Sequence, residues 1–452
     1  MKVHFIAIGG SAMHNLAIAL LKKGFEITGS DDEIFEPSKS RLSVLGLLPE
    51  KQGWYPEKIT SDLDAVILGM HARENNPELK KAKEIGIKIY SYPEFLYEQT
   101  KNKTRVVIGG SHGKTTVTSM VIHVLKYHRI NFDFMVGAQL EGFDNMVQFS
   151  EDSKIAVFEG DEYLSSTLDP RPKFHIYKPN IALITGIAWD HVNVFSTFEV
   201  YVEQFKIFIE KIEKNGSLIY CADDSLLSGI ALTARSDIKS YPYHIHPHKE
   251  NDIVYLLNEG EKYPVKVFGK HNMQNISGAR QVCKLLGVTD QQFYEAITTF
   301  EGAAKRLQLI GHNNKTSVYL DFAHSPSKLI ATIRAVKDHF PKRKLVACIE
   351  LHTFSSLSEE FLEQYYGTME RADIAYVYFN PNSNKVKQLK PLSPEAVIKA
   401  FSTKRLKVFT DSNELVNELK SLDWNDKNLL LMSSGNFDGI DFTTFVKELL
   451  NN

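Results

Sequence analysis

Cysteine is scarce in this chain, and what there is follows no pattern. Cys221, Cys283 and Cys348 are three residues spread over 452 positions. They have neither the spacing of a zinc site nor that of a disulfide framework, so the sequence reads as a protein of a reducing compartment, expected to be cytoplasmic. Net charge is nearly absent too: 53 lysines and arginines against 55 aspartates and glutamates leave −2 at pH 7. No global basic field draws the chain to nucleic acid or to an acidic lipid surface, so any phosphate it binds must be held locally. Long apolar runs are missing. The opening "MKVHFIAIGG" is too short for a signal peptide, and no stretch approaches the ~18 apolar residues that would argue for membrane insertion. Internal repeats and low-complexity segments are also absent.

What is present is ordinary globular composition, 43% hydrophobic and 24% charged, in a chain too long for one core; its length suggests about three domains. "KVHFIAI" reads as a buried strand, followed by "GGS" and then by Met13, Leu16, Ala17, Leu20 and Leu21 at helical spacing. "FEITGSDD", "DAVILGM" and "KIYSYPEFL" continue the alternation, giving a doubly wound α/β unit over 1–100, with "QTKNKT" as a linker. A second α/β unit over 101–302 opens with "RVVIGG" and a helix striped by Val117, Met120, Val121, Val124 and Leu125. It continues through "KIAVFEGDE", "NIALITG" and "GSLIYCADD", and "FGKHNMQNISGARQVCKLLG" reads as a loop entering a helix. A third α/β unit over 303–452 has strands "SVYLDFA", "KLVACIE", "IAYVYFN" and a last strand "NLLLMSS", with a helix from Pro326.

The motifs sit at strand ends. "GGSHGKTT" at 109–116 lacks the first glycine of the general phosphate loop, where Ile108 stands. Its context, strand before and amphipathic helix after, is that of a phosphate loop. Gly110, Ser111, His112, Gly113, Lys114, Thr115 and Thr116 would wrap nucleotide phosphates with backbone N–H groups, Lys114 would neutralise them, and the Thr115 hydroxyl would bind Mg²⁺. "FEGDEY" places Glu159, Asp161 and Glu162 at one strand end and "WDH" places His191 after another. An acid cluster alone is a solvated surface; beside a phosphate loop, Glu159 and His191 become candidate Mg²⁺ ligands. "GKHNMQN" offers Asn272 and Asn275, the latter to read adenine or to cap a helix. Arg306, Asp321 and His324 gain weight only if the third unit acts on the nucleotide. "IGGSAM" is a degraded dinucleotide fingerprint, with Ala7 and Ala12 where glycines would stand. Gly9, Gly10 and Ser11 with Asp31, about 20 residues on, suit a nucleotide diphosphate and its ribose better than NAD.

These residues together resemble the Mur ligase family over essentially the whole chain. "GGSHGKTT" is similar to that family's G-T-x-G-K-T-T loop, and "EGDE", "WDH", "GKHNMQN", "KR" and "LDFAHSP" follow in the family's order. "HFIAIGGSAM", "GSDD" and "GMHARENNPEL", which carries His71, resemble the domain of the branch that acts on the lactyl carboxylate of UDP-N-acetylmuramate. The resemblance implies three domains: a Rossmann-like domain holding this sugar nucleotide, a central P-loop ATPase-like domain, and a C-terminal Rossmann-like domain that closes over ATP and binds the amine. It implies an ATP- and Mg²⁺-dependent amide ligase of peptidoglycan synthesis. Lys114, Glu159, His191 and Arg306 would be catalytic; Asn272, Asn275, Arg306 and Asp321 would join the phosphate loop on ATP; Gly9, Gly10, Ser11, Asp31, His71 and His324 would bind substrate. The protein would be a monomer or a weak homodimer.

Two amines remain open at this level, L-alanine and the tripeptide L-alanyl-γ-D-glutamyl-meso-diaminopimelate. The alanine enzymes carry a His-Arg pair and a second arginine after the third domain's central strand, where this chain reads "ELHTFSSLSEE". An arginine fork matches a small amino acid's carboxylate, so its loss favours the tripeptide, as do "MSSGNFDGI" and "PRPKFHIYKP". Leu320, Ser325 and Gly186 depart from the family pattern, and Phe205 falls where other branches carry a modified lysine. These departures leave open a nucleotide-gated binding protein without ligase chemistry. A folylpolyglutamate-like ligase does not account for the N-terminal domain, and an NAD oxidoreductase leaves the phosphate loop without a role.

Overall fold

The computed structural model describes the chain except residues 71, 141–142, 190–193, 252, 388, 404–405 and 452. It folds into two compact units, both discontinuous in sequence: 1–187, 199–244 and 276–297 form one, and 188–198, 245–275 and 298–452 form the other. The α/β class expected from the alternation of strands and helices is what the structure has.

The first unit contains two sheets. Strands β1 (Lys2–Ile6), β2 (Glu26–Ser30), β3 (Ala65–Leu68) and β4 (Ile89–Ser91) make an all-parallel sheet in the order β2-β1-β3-β4. Helix α1 (Ser11–Lys22) connects β1 to β2 and buries Met13, Leu16, Ala17 and Leu20, the stripe expected from the sequence. The second sheet comprises β5 (Thr104–Gly109), β6 (Asp133–Met135), β7 (Val147–Gln148), β8 (Ile155–Glu159), β9 (Ile181–Ile184), β10 (Ser217–Cys221) and β11 (Lys239–Tyr243). Its order is β11-β10-β9-β5-β8-β6-β7, parallel except for β6 against β7. The central strands carry apolar runs, Val106–Ile108 in β5 and Ile181–Ile184 in β9, as a parallel sheet buried on both faces requires. Helices α2 (Lys114–Tyr127) and α3 (Phe198–Glu210) complete the part of this unit that builds the site.

The segment expected to be a linker is pinned. Arg105, 3% exposed, donates to the carbonyl oxygens of Thr100, Lys101 and Lys103 through Nη1 and to that of Tyr177 through Nε. The polar composition of "QTKNKT" is visible in sequence; the arginine that gathers its carbonyls lies on the next strand and is not.

The second unit holds a small antiparallel sheet, β12 (His248–Glu250), β13 (Val254–Asn258) and β14 (Glu261–Val265), which the sequence reading missed. Glu259 and Gly260, at φ 50° and 87°, make the tight turn between β13 and β14, and a Glu-Gly pair is a weaker signal than Asn-Gly for such a turn. Helix α4 (Lys270–Leu285) begins earlier than expected. The larger sheet comprises β15 (Gln308–His312), β16 (Thr316–Asp321), β17 (Lys344–Glu350), β18 (Ile374–Tyr378), β19 (Leu406–Phe409) and β20 (Lys427–Met432), ordered β15-β16-β20-β17-β18-β19. All neighbours are parallel except the edge pair β15 and β16. Helix α5 (Pro326–His339) starts at the expected proline. Leu320, where the resemblance placed an acid, is buried in this sheet's apolar core with Val318 and Leu431. Among the described residues no helix is long and apolar enough to cross a membrane, and Cys221, Cys283 and Cys348 are free and buried.

Candidate active site

The phosphate loop lies between β5 and α2. Gly110 and Gly113 take φ of 122° and 79°, backbone that side chains avoid. At Gly110 a Cβ would also stand 2.1 Å from Thr185 Oγ1, so the glycine is fixed by the neighbouring strand as well as by its own torsion. The end of β9 closes on the loop: Thr185 N–H donates to the Gly109 carbonyl at 3.0 Å and Ser111 N–H to the Gly186 carbonyl at 3.0 Å. Thr185 Oγ1 donates to the His112 carbonyl. Gly113 precedes α2 without a side-chain cap, leaving the helix's first N–H groups and the positive end of its dipole for an anion.

Charged side chains converge on this loop. Lys114 Nζ donates to Glu162 Oε2 at 2.6 Å and to the Gly110 carbonyl at 2.7 Å. The pair is nearly dry, with side-chain exposures of 14% and 0%. Burial pulls the Lys114 pKa down, but the charges of Glu162, Asp161 and Glu159 outweigh it, and the ammonium is held above the ordinary lysine value. Tyr201 on α3 donates to Glu162 Oε1 at 3.0 Å and lies 2.9 Å from Ser111 Oγ. Thr115 Oγ1 donates to Glu159 Oε1 at 2.7 Å, and Gly137 N–H donates to Glu159 Oε2 at 2.6 Å. A hydroxyl and a carboxylate oxygen this close form an all-oxygen donor pair of the kind Mg²⁺ takes, so the residues present fit that ion. Thr116 is buried in the first turn of α2. His191, the third expected ligand, lies outside the described residues.

Glu162, Tyr201 and Thr185 were not singled out as site residues from sequence. Tyr201 is 90 positions from its partner Ser111 and carries no local signal. Glu162 had one, as the last acid of "EGDE". Phe205 is buried in the core, edge-on to Phe174 and Tyr201, whereas Lys206 is half exposed and pairs with Glu203.

The N-terminal loop repeats the phosphate-loop logic. Ala7 adopts φ 69°, the left-handed conformation for which a dinucleotide fingerprint uses glycine. Gly10 precedes α1 without a side-chain cap. A Cβ on Gly9 would stand 2.9 Å from Asp31 Oδ2 and from Ile34 Cγ1. Asp31 is 3% exposed and accepts from Gly9 N–H at 2.7 Å, so its carboxylate shapes the loop. Ser11 is exposed at the start of α1; His71 lies outside the described residues.

Asp31 supplies a pH prediction. Burial, reinforced by Asp32 and opposed by the Gly9 hydrogen bond, raises its carboxyl to about 6. A raised carboxyl favours the neutral form in the folded state, so its stabilising contribution is lost as pH rises through that value. Deprotonation puts a negative charge behind Gly9. A pyrophosphate diester keeps its own charge in this range, so its affinity should weaken as pH rises from about 5 to about 7. Calorimetric titration with UDP-N-acetylmuramate checks this: Asp31→Asn should flatten the profile, and a wild-type profile already flat would contradict it.

In the second unit Arg306 sits on an unusual turn. Lys305 and Leu307, on either side, have φ of 54° and 50°, a conformation held against its cost only by surrounding structure. Here that structure is Asp321, whose Oδ2 accepts from Leu307 N–H at 2.6 Å and Oδ1 from Ala323 N–H at 2.7 Å. The Arg306 guanidinium lies 4.6 Å over the Phe322 ring. Asp321 is 8% exposed, and both of its oxygens hold backbone. His324 Nδ1–H donates to the Phe322 carbonyl at 2.8 Å, and the imidazole packs edge-on to the Phe322 ring. Asn272 and Asn275 are on α4, not in a loop before it. Asn275 is too far along the helix to cap it, and Asn272 Nδ2 donates to the Phe268 carbonyl at 2.9 Å.

The carboxyl ends of β17 and β20 meet at Glu350. It is 3% exposed; Oε2 accepts from Ser433 Oγ and from Phe437 N–H at 2.8 Å. Hydrogen bonding from His352, Ser433 and Phe437 overcomes burial and holds its carboxyl below the ordinary glutamate value.

Comparison with known proteins agrees with this architecture. Sequence models of the Mur ligase family match along the chain: its catalytic domain at residues 2–104, the Mur ligase middle domain at 108–283, and the glutamate ligase domain at 305–435. UDP-N-acetylmuramate–L-alanine ligase of Clostridium kluyveri is 31% identical over 376 residues, covering 80% of each chain. The enzyme of that name from Clostridium acetobutylicum is 30% identical over 448 residues, covering 95% of this chain and 94% of its own. Among solved structures, UDP-N-acetylmuramate-alanine ligase from Thermotoga maritima has a TM-score of 0.72 at 20% identity, covering 100% of this chain and 98% of its own. A murein peptide ligase from Psychrobacter arcticus 273-4 has 0.66 at 21%, covering 100% and 99%; both likenesses are of fold. The chain belongs to the Mur ligase family, whose members are ATP-dependent ligases that form amide bonds in peptidoglycan synthesis.

Proposed function

We propose that this ligase joins the lactyl carboxylate of UDP-N-acetylmuramate to the amino group of L-alanyl-γ-D-glutamyl-meso-diaminopimelate. In the reaction, a carboxylate oxygen attacks the γ-phosphorus of ATP. The new O–P bond forms as the β–γ bridge breaks and its electron pair leaves with ADP. The amine then attacks the acyl carbon, phosphate departs, and the amine loses a proton. Two anions must meet in the first step, and Lys114 with the uncapped start of α2 offsets their repulsion. Thr115 and Glu159, with His191 by family resemblance, would hold Mg²⁺, which supplies further charge neutralisation when bound. Arg306 is assigned to the nucleotide phosphates, and Asp321 to the turn that carries it.

The observation that carries the choice of amine is the segment after β17, "LHTFSSLSEE", which has no arginine to grip a small amino acid's carboxylate. L-Alanine is the second reading, favoured by the names of the Clostridium relatives. Phosphate release with ATP, Mg²⁺ and UDP-N-acetylmuramate separates them. We expect the tripeptide to be used at least about 100-fold more efficiently than L-alanine, a gap of nearly 3 kcal/mol in transition-state binding. Efficient use of L-alanine alone would overturn the choice.

A further inference from the structure

A second lysine stands beside the phosphate loop, and nothing above gives it a task. Lys173 Nζ donates to Asp161 Oδ2 at 2.6 Å. Asp161 is next in sequence to Glu162, the partner of Lys114, and its charge acts on the Lys114 ammonium. A carboxylate thus lies between two ammonium groups at the carboxyl end of β8, where ligands of parallel sheets bind.

The two lysines differ in setting. The Lys114–Glu162 pair has side-chain exposures of 14% and 0%. Those of Lys173–Asp161 are 22% and 35%, so this pair is open enough to exchange partners. It is also not needed to close its own loop. The chain from Asp161 to Lys173 is already closed by backbone: Ser165 N–H to the Arg171 carbonyl at 2.9 Å, Lys173 N–H to that of Tyr163 at 3.0 Å, and Phe174 N–H to that of Asp161 at 3.1 Å. Phe174, fully buried and stacked on Phe208 at 4.5 Å, anchors the following residue. A surface ion pair of this kind contributes only about 0–1 kcal/mol to stability, so stability alone is a weak reason for the ammonium to be here.

We infer that the Lys173 ammonium receives the anionic carboxylate substrate and steers it toward the phosphoryl group held by Lys114, with Asp161 holding Lys173 in place until the substrate arrives. The inference rests on the proposed reaction and adds a residue to it. It involves no covalent step at the lysine: the ammonium exchanges one carboxylate partner for another.

The test is steady-state ADP release by the full-length protein, Lys173→Gln and Lys173→Arg, with UDP-N-acetylmuramate and ATP varied in turn. Lys173→Gln should lower kcat/KM for the sugar nucleotide by about 100-fold, the scale of one lost charge-assisted contact in a shielded site. KM for ATP should stay within about threefold and the melting temperature should hardly move. Lys173→Arg should restore much of the loss by keeping the charge. Unimpaired turnover in Lys173→Gln would overturn the inference alone, as would equal losses for ATP and sugar nucleotide. Absence of sugar-dependent turnover in the wild type would remove the proposed reaction and this inference together.

Discussion

Lys114→Ala is expected to lower turnover by about 1,000-fold and to lower the melting temperature as well. The rate loss follows from removing a fixed positive charge at the phosphoryl group, where single preorganised donors are worth about 10²–10³ in rate. The stability loss follows from Glu162, whose side chain is fully buried. The Tyr201 hydroxyl also donates to it, at 3.0 Å. Breaking a buried pair by removing one member costs about 3–5 kcal/mol, because the other charge is left uncompensated. Sequence alone suggests a clean knockout here, and the structure argues otherwise. The double variant Lys114→Ala/Glu162→Gln separates the effects. It should regain most of the melting temperature, since a neutral amide still accepts from Tyr201, and none of the turnover. Calorimetry with an ADP-release assay reads both. Near-normal turnover in Lys114→Ala would remove the phosphate-loop assignment; an unchanged melting temperature would remove the account of Glu162.

Asp321→Ala should cost both stability and about 100-fold in kcat, while Arg306→Ala should cost kcat alone. The alanine at 321 leaves the Leu307 and Ala323 N–H groups, now bonded at 2.6 and 2.7 Å, without their acceptors, at about 1–3 kcal/mol for each buried donor. It also releases the turn in which Lys305 and Leu307 hold φ of 54° and 50°, conformations that relax when their supports go. Arg306 would then lose its fixed aim, which is how a positioning defect reaches the rate. Asp321→Asn, keeping one acceptor, should fall between. The measurements are kcat, KM for ATP and melting temperature. If Asp321→Ala raised KM for ATP with no thermal effect, the ATP-binding role that the family resemblance implies would stand in place of the structural one.

Much of the site was legible because its chemistry is local. The phosphate loop needs consecutive residues between a strand and a helix, so "GGSHGKTT" declares itself, and the acids of "EGDE" follow from ending a strand in the same sheet. Helix starts at Pro326 and after Gly10 were legible for the same reason. The small sheet over 248–265 was not, since its hairpin turn uses Glu-Gly and its strands are short. Asn275 was misplaced because α4 begins at Lys270, which no capping residue announces.

The sequence by itself determined the α/β class, the order of strands and helices, the phosphate loop with Lys114 and Thr115, and the family. Each of these depends on neighbours along the chain or on an ordered series of motifs. Only the tertiary structure decided what the carboxylates do. Asp31 holds Gly9, Asp321 holds the turn of Arg306, Glu162 takes Lys114 and Tyr201, and Asp161 takes Lys173. A carboxylate's role is set by which donors reach it and how much water remains, and those donors come from elements up to tens of residues away. Sequence spacing gives the acid its strand end; packing gives it a partner.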